Sequence, residues 1–186
     1  SIEKILELPI RESVFLSLPT YSHTEKDLNI AIVGKYTENR DTYLSIHRAL
    51  EHSAFSINRW VKITYLSSEE SHNLDVYDGV IIPGGFGDRG IEGMIDVATY
   101  CREHNKPLLG ICLGMQIMCI ASVRKTNPYC SSSEFVHDGI HNVIISIDEL
   151  DHTQMGGTMK LGVKQTLLNN KLSHAYQIYQ KPYIYE

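Results

Sequence analysis

The sequence is poor in cysteine and has no long apolar run, and both absences exclude classes of protein. Its four cysteines among 186 residues form no CxxC pair and no Cys/His cluster with zinc spacing, which argues against a disulfide-stapled miniprotein and a structural metal site. The longest apolar stretch, residues 107–123, is interrupted by Gln116 and two glycines, so it falls short of the ~20 apolar residues of a membrane-spanning helix. The N-terminal stretch mixes charges into every turn and lacks the apolar core of a signal peptide. We therefore expect a cytoplasmic protein in a reducing compartment.

An excess of positive charge is also missing. The 17 Lys and Arg residues are outnumbered by 22 Asp and Glu residues, which gives a formal net charge of −5 with the nine histidines neutral. No basic field therefore favours nucleic acid as a partner. Hydrophobic residues make up 42% of the chain and charged residues 21%, the balance of an ordinary globular protein. A chain of this length is sufficient for one domain with a sizeable core.

Strand and helix patterns alternate along most of the chain. Residues 1–28 have no clear period and contain two prolines, so we interpret them as a linker or a remnant of a preceding domain, and we predict the fold proper over residues 29–186. Apolar runs predict strands at 30–34, 77–82 and 108–111, and alternation of apolar and polar residues predicts one at 61–66. Helical spacing predicts helices at 41–54, 91–104 and 113–124. The predicted fold class is α/β, with a mostly parallel sheet flanked by helices. Runs at 142–147 and 159–168 predict a small appended β layer.

The strongest signal for chemistry is a cysteine framed by two glycines, in the order Gly110-Ile111-Cys112-Leu113-Gly114 between a predicted strand and a predicted helix. This is the pattern of a nucleophile elbow, in which a sharp turn strains the backbone of the middle residue and the glycines avoid collisions. The helix dipole there stabilises a thiolate, and the N–H of Leu113 is free to stabilise an oxyanion. The alternative, that Cys112 is only a buried structural cysteine, fits the two glycines poorly. Three other cysteines lack this setting and are interpreted as packing or surface residues: Cys101, Cys119 and Cys130.

A second glycine-rich segment, Pro83-Gly84-Gly85-Phe86-Gly87-Asp88-Arg89-Gly90, follows another predicted strand. Such a loop lets backbone N–H groups approach a ligand closely, either a phosphate or an oxyanion. It does not match the dinucleotide fingerprint GxGxxG, and Gly34-Lys35 does not match a phosphate loop. With a thiol elbow on a nearby strand, the interpretation as part of an oxyanion hole is favoured.

Four segments together resemble one known family. They are GGFGDRGIEG from Gly84, KPLLGICLGMQ from Lys106, SSSEF from Ser131 and MGGTMKLG from Met155. These segments are similar to the class I glutamine amidotransferase domain of the CTP synthase family, and the similarity runs from about residue 29 to residue 186. The resemblance implies a glutaminase that supplies ammonia for the ATP-dependent amination of UTP to CTP.

The resemblance also implies roles for individual residues. Cys112 would attack the side-chain amide of L-glutamine and form a glutamyl thioester, while the N–H groups of Gly85 and Leu113 bind the oxyanion. Glu134 would receive the α-amino group of glutamine, although Ser131-Ser132-Ser133 departs from the family's usual sequence just before it. The residues implied to line the glutamine pocket are Gly85, Leu113, Gly114, Met115, Gln116 and Glu134.

The catalytic base that the resemblance implies is a His-x-Glu pair after the elbow. Of the nine histidines, only His23 is followed two residues later by a glutamate, Glu25, and it precedes the first predicted strand, on the wrong side for this topology. The sequence therefore resembles most of a glutaminase domain without its last part. We expect this chain alone to turn over glutamine poorly or not at all.

Partners and cofactors follow from the same resemblance. L-glutamine would be the substrate of this domain, which needs no cofactor or metal of its own. A synthetase domain of the parent chain would use ATP and Mg²⁺, GTP would be an effector, the intact enzyme would be a homotetramer, and neither nucleic acid nor a membrane is implied. Two alternatives stay open: another class I amidotransferase such as the GMP synthase type, and a non-catalytic glutaminase-like interaction module. The MGGTMKLG segment argues against the first alternative. The missing His-x-Glu pair supports the second, but a sequence that ends before this pair explains the same absence more simply.

Overall fold

The computed structural model describes residues 27–135, 141–145 and 162–185. The chain divides into two compact units. The first comprises the residues up to 85 and residues 89–128, and the second comprises residues 86–88 and the residues from 129 onward. Of the predicted linker, only Asp27 and Leu28 lie within the described residues, and Leu28 already belongs to the first strand. No helix in these described ranges has the length and apolar character needed to cross a membrane.

The first unit is built on a parallel four-stranded sheet, which confirms the predicted α/β class. Its strands are β1 (Leu28–Gly34), β2 (Val61–Ser67), β3 (Gly79–Ile82) and β4 (Leu108–Gly110), in the spatial order β2-β1-β3-β4. The order reverses direction between β1 and β3, and such a switch point is where α/β sheets bind ligands, outside the carboxyl ends of the strands. β3 begins two residues later than predicted because the Asp78 carboxylate accepts the N–H of Asn29 (2.7 Å), which a strand carbonyl would otherwise accept.

Two helices connect strands of this sheet, and a third follows β4 in the chain. They are α1 (Leu44–Ser56), α2 (Ile91–Glu103) and α3 (Leu113–Val123). The apolar stripe predicted for α2 is buried along its whole length. The helix predicted from residue 41 instead starts as a 3-10 turn over Arg40–Tyr43, where the Asn39 side chain accepts the N–H of Asp41 (3.1 Å). Leu44, the first residue of α1 after this turn, is 47% exposed.

The core of the first unit lies on both faces of the sheet. Ile32 and Ile81 form a cluster with the buried ring of Tyr43, against which side chains of α1 pack. Successive strand residues point to opposite faces, so the fully buried side chains of Val33 and Ile82 face away from that cluster. The helices α2 and α3 pack against each other, and α3 lies directly against the end of β3, as the elbow geometry below shows.

The second unit consists of short elements. The strand β5 (Ser131–Ser132) pairs in parallel with β6 (Asn142–Ile144), and β7 (Gln165–Leu167) pairs antiparallel with β8 (Tyr183–Tyr185), with α4 (His174–Tyr179) between them in sequence. Within the described residues, the strand predicted at 142–147 is observed over Asn142–Ile144 and the one predicted at 159–168 over Gln165–Leu167. The rest of both predictions that falls on residues 146–161 lies outside the described ranges. The sequence did not indicate β5, α4 or β8, because they are too short to show a period.

Candidate active site

Cys112 occupies a sharp turn between β4 and α3. Its backbone has φ 53° and ψ −106°, a conformation with positive φ that is uncommon for residues other than glycine and concentrates at functional sites. The Cys112 carbonyl accepts the N–H groups of Met115 (3.1 Å) and Gln116 (3.2 Å), so the helix starts immediately after the cysteine. This is the strained strand-to-helix turn that the sequence predicts.

The two glycines of the elbow are required by close packing. A Cβ atom on Gly110 would overlap the backbone of Gly114 and lie 2.7 Å from Met118 Sδ. A Cβ atom on Gly114 would fall on the carbonyl group of Ile82, 2.8 Å from its carbon. The first turn of α3 is therefore in direct contact with the backbone at the end of β3, and this contact fixes where Cys112 lies.

Among the four cysteines, Cys112 and Cys119 are exposed, whereas Cys101 and Cys130 are buried. Burial raises the pKa of the Cys101 thiol, and this effect outweighs the opposite one of the nearby Lys106. The thiol of Cys119 lies 3.9 Å from Met115 Sδ on the exposed side of α3. Cys112 thus combines exposure with a strained backbone, and no other cysteine has both.

The glycine-rich segment after β3 packs against this elbow. Pro83 is fully buried. A Cβ atom on Gly84 would lie 3.6 Å from Cys112 Cβ, and one on Gly85 would lie 3.2 Å from Leu113 Cδ2. Among the described residues of this unit, the N–H groups of Gly85 and Leu113 donate to no protein acceptor. Two neighbouring backbone donors without acceptors are what an oxyanion hole requires.

Lys35, for which the sequence indicated no role in the site, is a neighbour of the glycine segment. It follows β1 and is only 6% exposed. A Cβ atom on Gly85 would lie 3.5 Å from Lys35 Cδ and 3.7 Å from its Cε. Arg89 donates through Nη2 to the Lys35 carbonyl (2.7 Å) and through Nη1 to Glu69 Oε2 (2.6 Å). The signal available in the sequence was a lysine placed directly after a buried strand.

A polar cavity of about 780 Å³ lies beside these residues, at the carboxyl ends of β1 and β2. Both Lys35 and Arg89 line it. Acidic side chains line it as well, namely Glu38, Glu69 and Glu70. Its walls thus carry charges of both signs, which does not single out an anionic or a cationic ligand.

The remaining predicted site residues divide between the two units. Met115 is 50% exposed on the first turn of α3, and Gln116 next to it is half-buried, with an Oε1 atom that has no hydrogen-bond partner among the described residues. Glu134 belongs to the second unit, where it is exposed and its N–H donates to Ser132 Oγ (3.2 Å). The structure therefore brings together Gly85, Leu113, Gly114, Met115 and Gln116 around Cys112 in the first unit.

Three imidazoles in the described part of the first unit have other partners. In the described part of that unit, no hydrogen bond involves Cys112 Sγ. The imidazole contacts are His47 Nδ1 with the Tyr65 hydroxyl (2.7 Å), His72 Nε2 with the Ser67 carbonyl (2.7 Å) and His104 Nδ1 with the Tyr100 carbonyl (2.9 Å). His23, which precedes Glu25 by two residues, lies outside the described residues.

Comparison with known proteins gives a consistent result. The sequence model of the family described as glutamine amidotransferase class-I matches residues 39–183. The chain is 40% identical to a CTP synthase of Dictyostelium discoideum over 178 residues, covering 83% of this chain and 31% of that protein. It is 41% identical to a CTP synthase of Latilactobacillus sakei over 170 residues, covering 86% of this chain and 32% of that protein. The chain thus spans about a third of the length of these relatives.

A solved structure is similar in fold as well as in sequence. It is the glutaminase domain of the CTP synthase of Trypanosoma brucei with bound acivicin, with a TM-score of 0.74 and 33% sequence identity, covering 86% of this chain and 65% of that one.

Proposed function

This chain belongs to the glutamine amidotransferase class-I family, and we propose on that premise that Cys112 is the nucleophile that hydrolyses L-glutamine. The observation that carries the proposal is the exposed Cys112 at a strained elbow, beside two backbone N–H groups that have no acceptor among the described residues. A thiol in this setting is suited to acyl transfer, because nucleophile and oxyanion donors are fixed by the same packing.

The proposed reaction has two steps. The Cys112 thiolate attacks the carbonyl carbon of the glutamine side chain, so that an S–C bond forms and the electron pair of the C=O bond moves to oxygen, facing the N–H groups of Gly85 and Leu113. When the C=O bond re-forms, the C–N bond breaks and the nitrogen leaves as ammonia after gaining a proton. Water then hydrolyses the glutamyl thioester, which releases glutamate and restores the thiol.

Two proton transfers in this reaction need a group that acts first as a base and then as an acid. One proton leaves the thiol and one reaches the departing nitrogen, and the resemblance assigns both transfers to a histidine held by a glutamate. The described part of the first unit brings no imidazole into hydrogen-bond distance of Cys112 Sγ. The resemblance also assigns the α-ammonium group of glutamine to Glu134, and this assignment stays a prediction.

For the whole protein, we propose a CTP synthase in which this domain supplies ammonia. The support is the similarity to CTP synthases along most of this chain. A synthetase domain would then use ATP and Mg²⁺ to convert UTP to CTP. We assign no described residue of this chain to the binding of ATP or of Mg²⁺. Activation by GTP, a homotetramer and a cytoplasmic location belong to the same proposal.

Covalent labelling tests the proposed nucleophile. The chain is treated with 6-diazo-5-oxo-L-norleucine, an electrophilic glutamine analogue, and the modified peptide is identified by mass spectrometry. We expect label on Cys112, protection by L-glutamine but not by D-glutamine, and no label on Cys112→Ser. Iodoacetamide serves as the control, because it reports thiol exposure alone and should also reach Cys119. Labelling of Cys119 in preference to Cys112 by the glutamine analogue would contradict the proposal.

A further inference from the structure

Lys35 is unusual because a lysine is rarely buried unless its stem is packed and its charge is satisfied. It is only 6% exposed, and its Cδ and Cε atoms lie 3.5 and 3.7 Å from the position of a Cβ atom on Gly85. The same Cβ position on Gly85 would lie 3.2 Å from Leu113 Cδ2. The aliphatic stem of Lys35 and the side chain of Leu113 therefore both border the place that a side chain on Gly85 would occupy.

The backbone around Lys35 is held at several points. The Lys35 carbonyl accepts a hydrogen bond from Arg89 (2.7 Å), and the N–H of Tyr36 donates to the buried hydroxyl of Tyr43 (3.2 Å). A Cβ atom on Gly34 would overlap that hydroxyl, so this end of β1 lies directly on Tyr43. These contacts fix the backbone from which the Lys35 side chain extends.

The glycine segment cannot position itself by its own side chains, because Gly84 and Gly85 have none. Glycine also has the largest backbone freedom of any residue. A donor to an oxyanion must nevertheless be held closely, since a displacement of about 1 Å at a reacting centre costs roughly 100-fold in rate. Neighbouring side chains must therefore supply the rigidity, as supporting contacts do in preorganised sites.

We propose that Lys35 is a positioning residue, whose buried aliphatic stem holds Gly85 so that its N–H faces the oxyanion formed at Cys112. This inference rests on the proposed function. It assigns the role to the methylene groups of the stem, which fill the space beside Gly85 that a side chain would take, and not to the ammonium group.

An aldehyde analogue of glutamine, L-glutamate γ-semialdehyde, tests this role. The Cys112 thiol adds to its carbonyl carbon, so that an S–C bond forms, the electron pair of the C=O bond moves to oxygen, and the thiol proton neutralises the adduct. No leaving group is needed, so the Kd of the adduct reports on the oxyanion donors without requiring turnover. Iodoacetamide alkylation of Cys112, which forms no oxyanion, is measured in parallel.

Truncation and conservative replacement of Lys35 should give different results. We expect Lys35→Ala to weaken aldehyde capture by roughly 10- to 100-fold, an effect no larger than that of removing one oxyanion donor. The rate of alkylation by iodoacetamide should stay unchanged. Lys35→Met, which keeps an unbranched stem without the charge, should restore capture to within about 3-fold of the unaltered chain. Lys62→Ala, which truncates an exposed lysine of β2, is the matched control and should have no effect.

The outcomes separate this inference from the proposed function. If the unaltered chain captures no aldehyde, the proposed function falls and this inference falls with it. If it captures aldehyde and Lys35→Ala captures it equally well, or if Lys35→Met is as defective as Lys35→Ala, only the inference is overturned. Fluorescence of the single tryptophan, Trp60, checks folding. If Lys35→Ala does not fold, Lys35→Val takes its place, because valine fills space near the backbone without reaching Gly85, and the same weaker capture is expected.

Discussion

Replacing Gly114 by alanine tests the packing that fixes the elbow. The added methyl group would lie 2.8 Å from the carbonyl carbon and 3.1 Å from Cβ of Ile82, and would overlap the carbonyl oxygen. Real Cβ atoms essentially never approach closer than about 3.0 Å, and the obstacle is the backbone of a strand inside the sheet, which cannot rotate away. The start of α3 must therefore move away from β3 by on the order of 1 Å.

The expected cost follows from two opposing effects. Overpacking of a close-packed interior costs about 1–3 kcal/mol, and the upper end applies because backbone meets backbone. Alanine in a helix gains up to about 1 kcal/mol over glycine. We expect Gly114→Ala to lower the free energy of unfolding by roughly 2 kcal/mol. Because Cys112 moves with the helix, labelling by the electrophilic glutamine analogue should slow by roughly 100-fold.

Urea unfolding followed by the fluorescence of Trp60, which lies in the first unit, measures the change in stability. Gly84→Ala is a matched glycine, because its methyl group would meet only Cys112 Cβ at an ordinary 3.6 Å. Its stability should therefore be unchanged or slightly higher. A Gly114→Ala chain that is as stable as the unaltered one, or more stable, would refute the reasoning, since the helix propensity would then act without a steric cost.

Three further changes have expected outcomes. Tyr43→Phe removes the hydroxyl that accepts the Tyr36 N–H, and we expect urea unfolding to show a loss of about 1–2 kcal/mol; an unchanged midpoint would contradict this. Burial raises the pKa of the Cys101 thiol, so above pH ~8.5 the unfolded chain loses a thiol proton that the folded chain keeps. The free energy of unfolding should therefore fall as the pH rises above ~8.5, and it should fall less steeply in Cys101→Ala. An equally steep fall in both proteins would refute the raised pKa of Cys101. Glu134→Gln should weaken the protection of Cys112 by glutamine by roughly 10-fold or more, as expected for losing a charged hydrogen bond; undiminished protection would exclude this role.

The sheet and its helices were predictable because their signals are strong and local. Strands buried on both faces are continuous apolar runs, such as residues 30–34 and 79–82. The stripe on α2 keeps one period from Ile91 to Cys101 and is buried throughout. The elbow was predictable for a different reason, because a glycine on each side of a cysteine has few structural explanations other than close packing.

The parts that the sequence did not predict depend on single contacts or on short segments. The 3-10 turn before α1 depends on the side chain of Asn39, and nothing in the apolar pattern indicates it. The strand β8 has three residues, of which only Ile184 is buried, so no alternation can be recognised. The sequence did not indicate a role for Lys35, because Lys35 and Gly85 are far apart in sequence. They come close together only because β1 and β3, which precede them, are neighbours in the sheet.

The backbone of Ile82 gives the candidate site an unusual thermal property. Its side chain is fully buried in the core, its carbonyl accepts the N–H of Ile111 just before the cysteine (2.9 Å), and the same carbonyl is in contact with Gly114. No flexible segment separates the cysteine turn from the core at this point. Heating should therefore abolish the selective reactivity of Cys112 at the temperature at which the first unit melts, and not at a lower one.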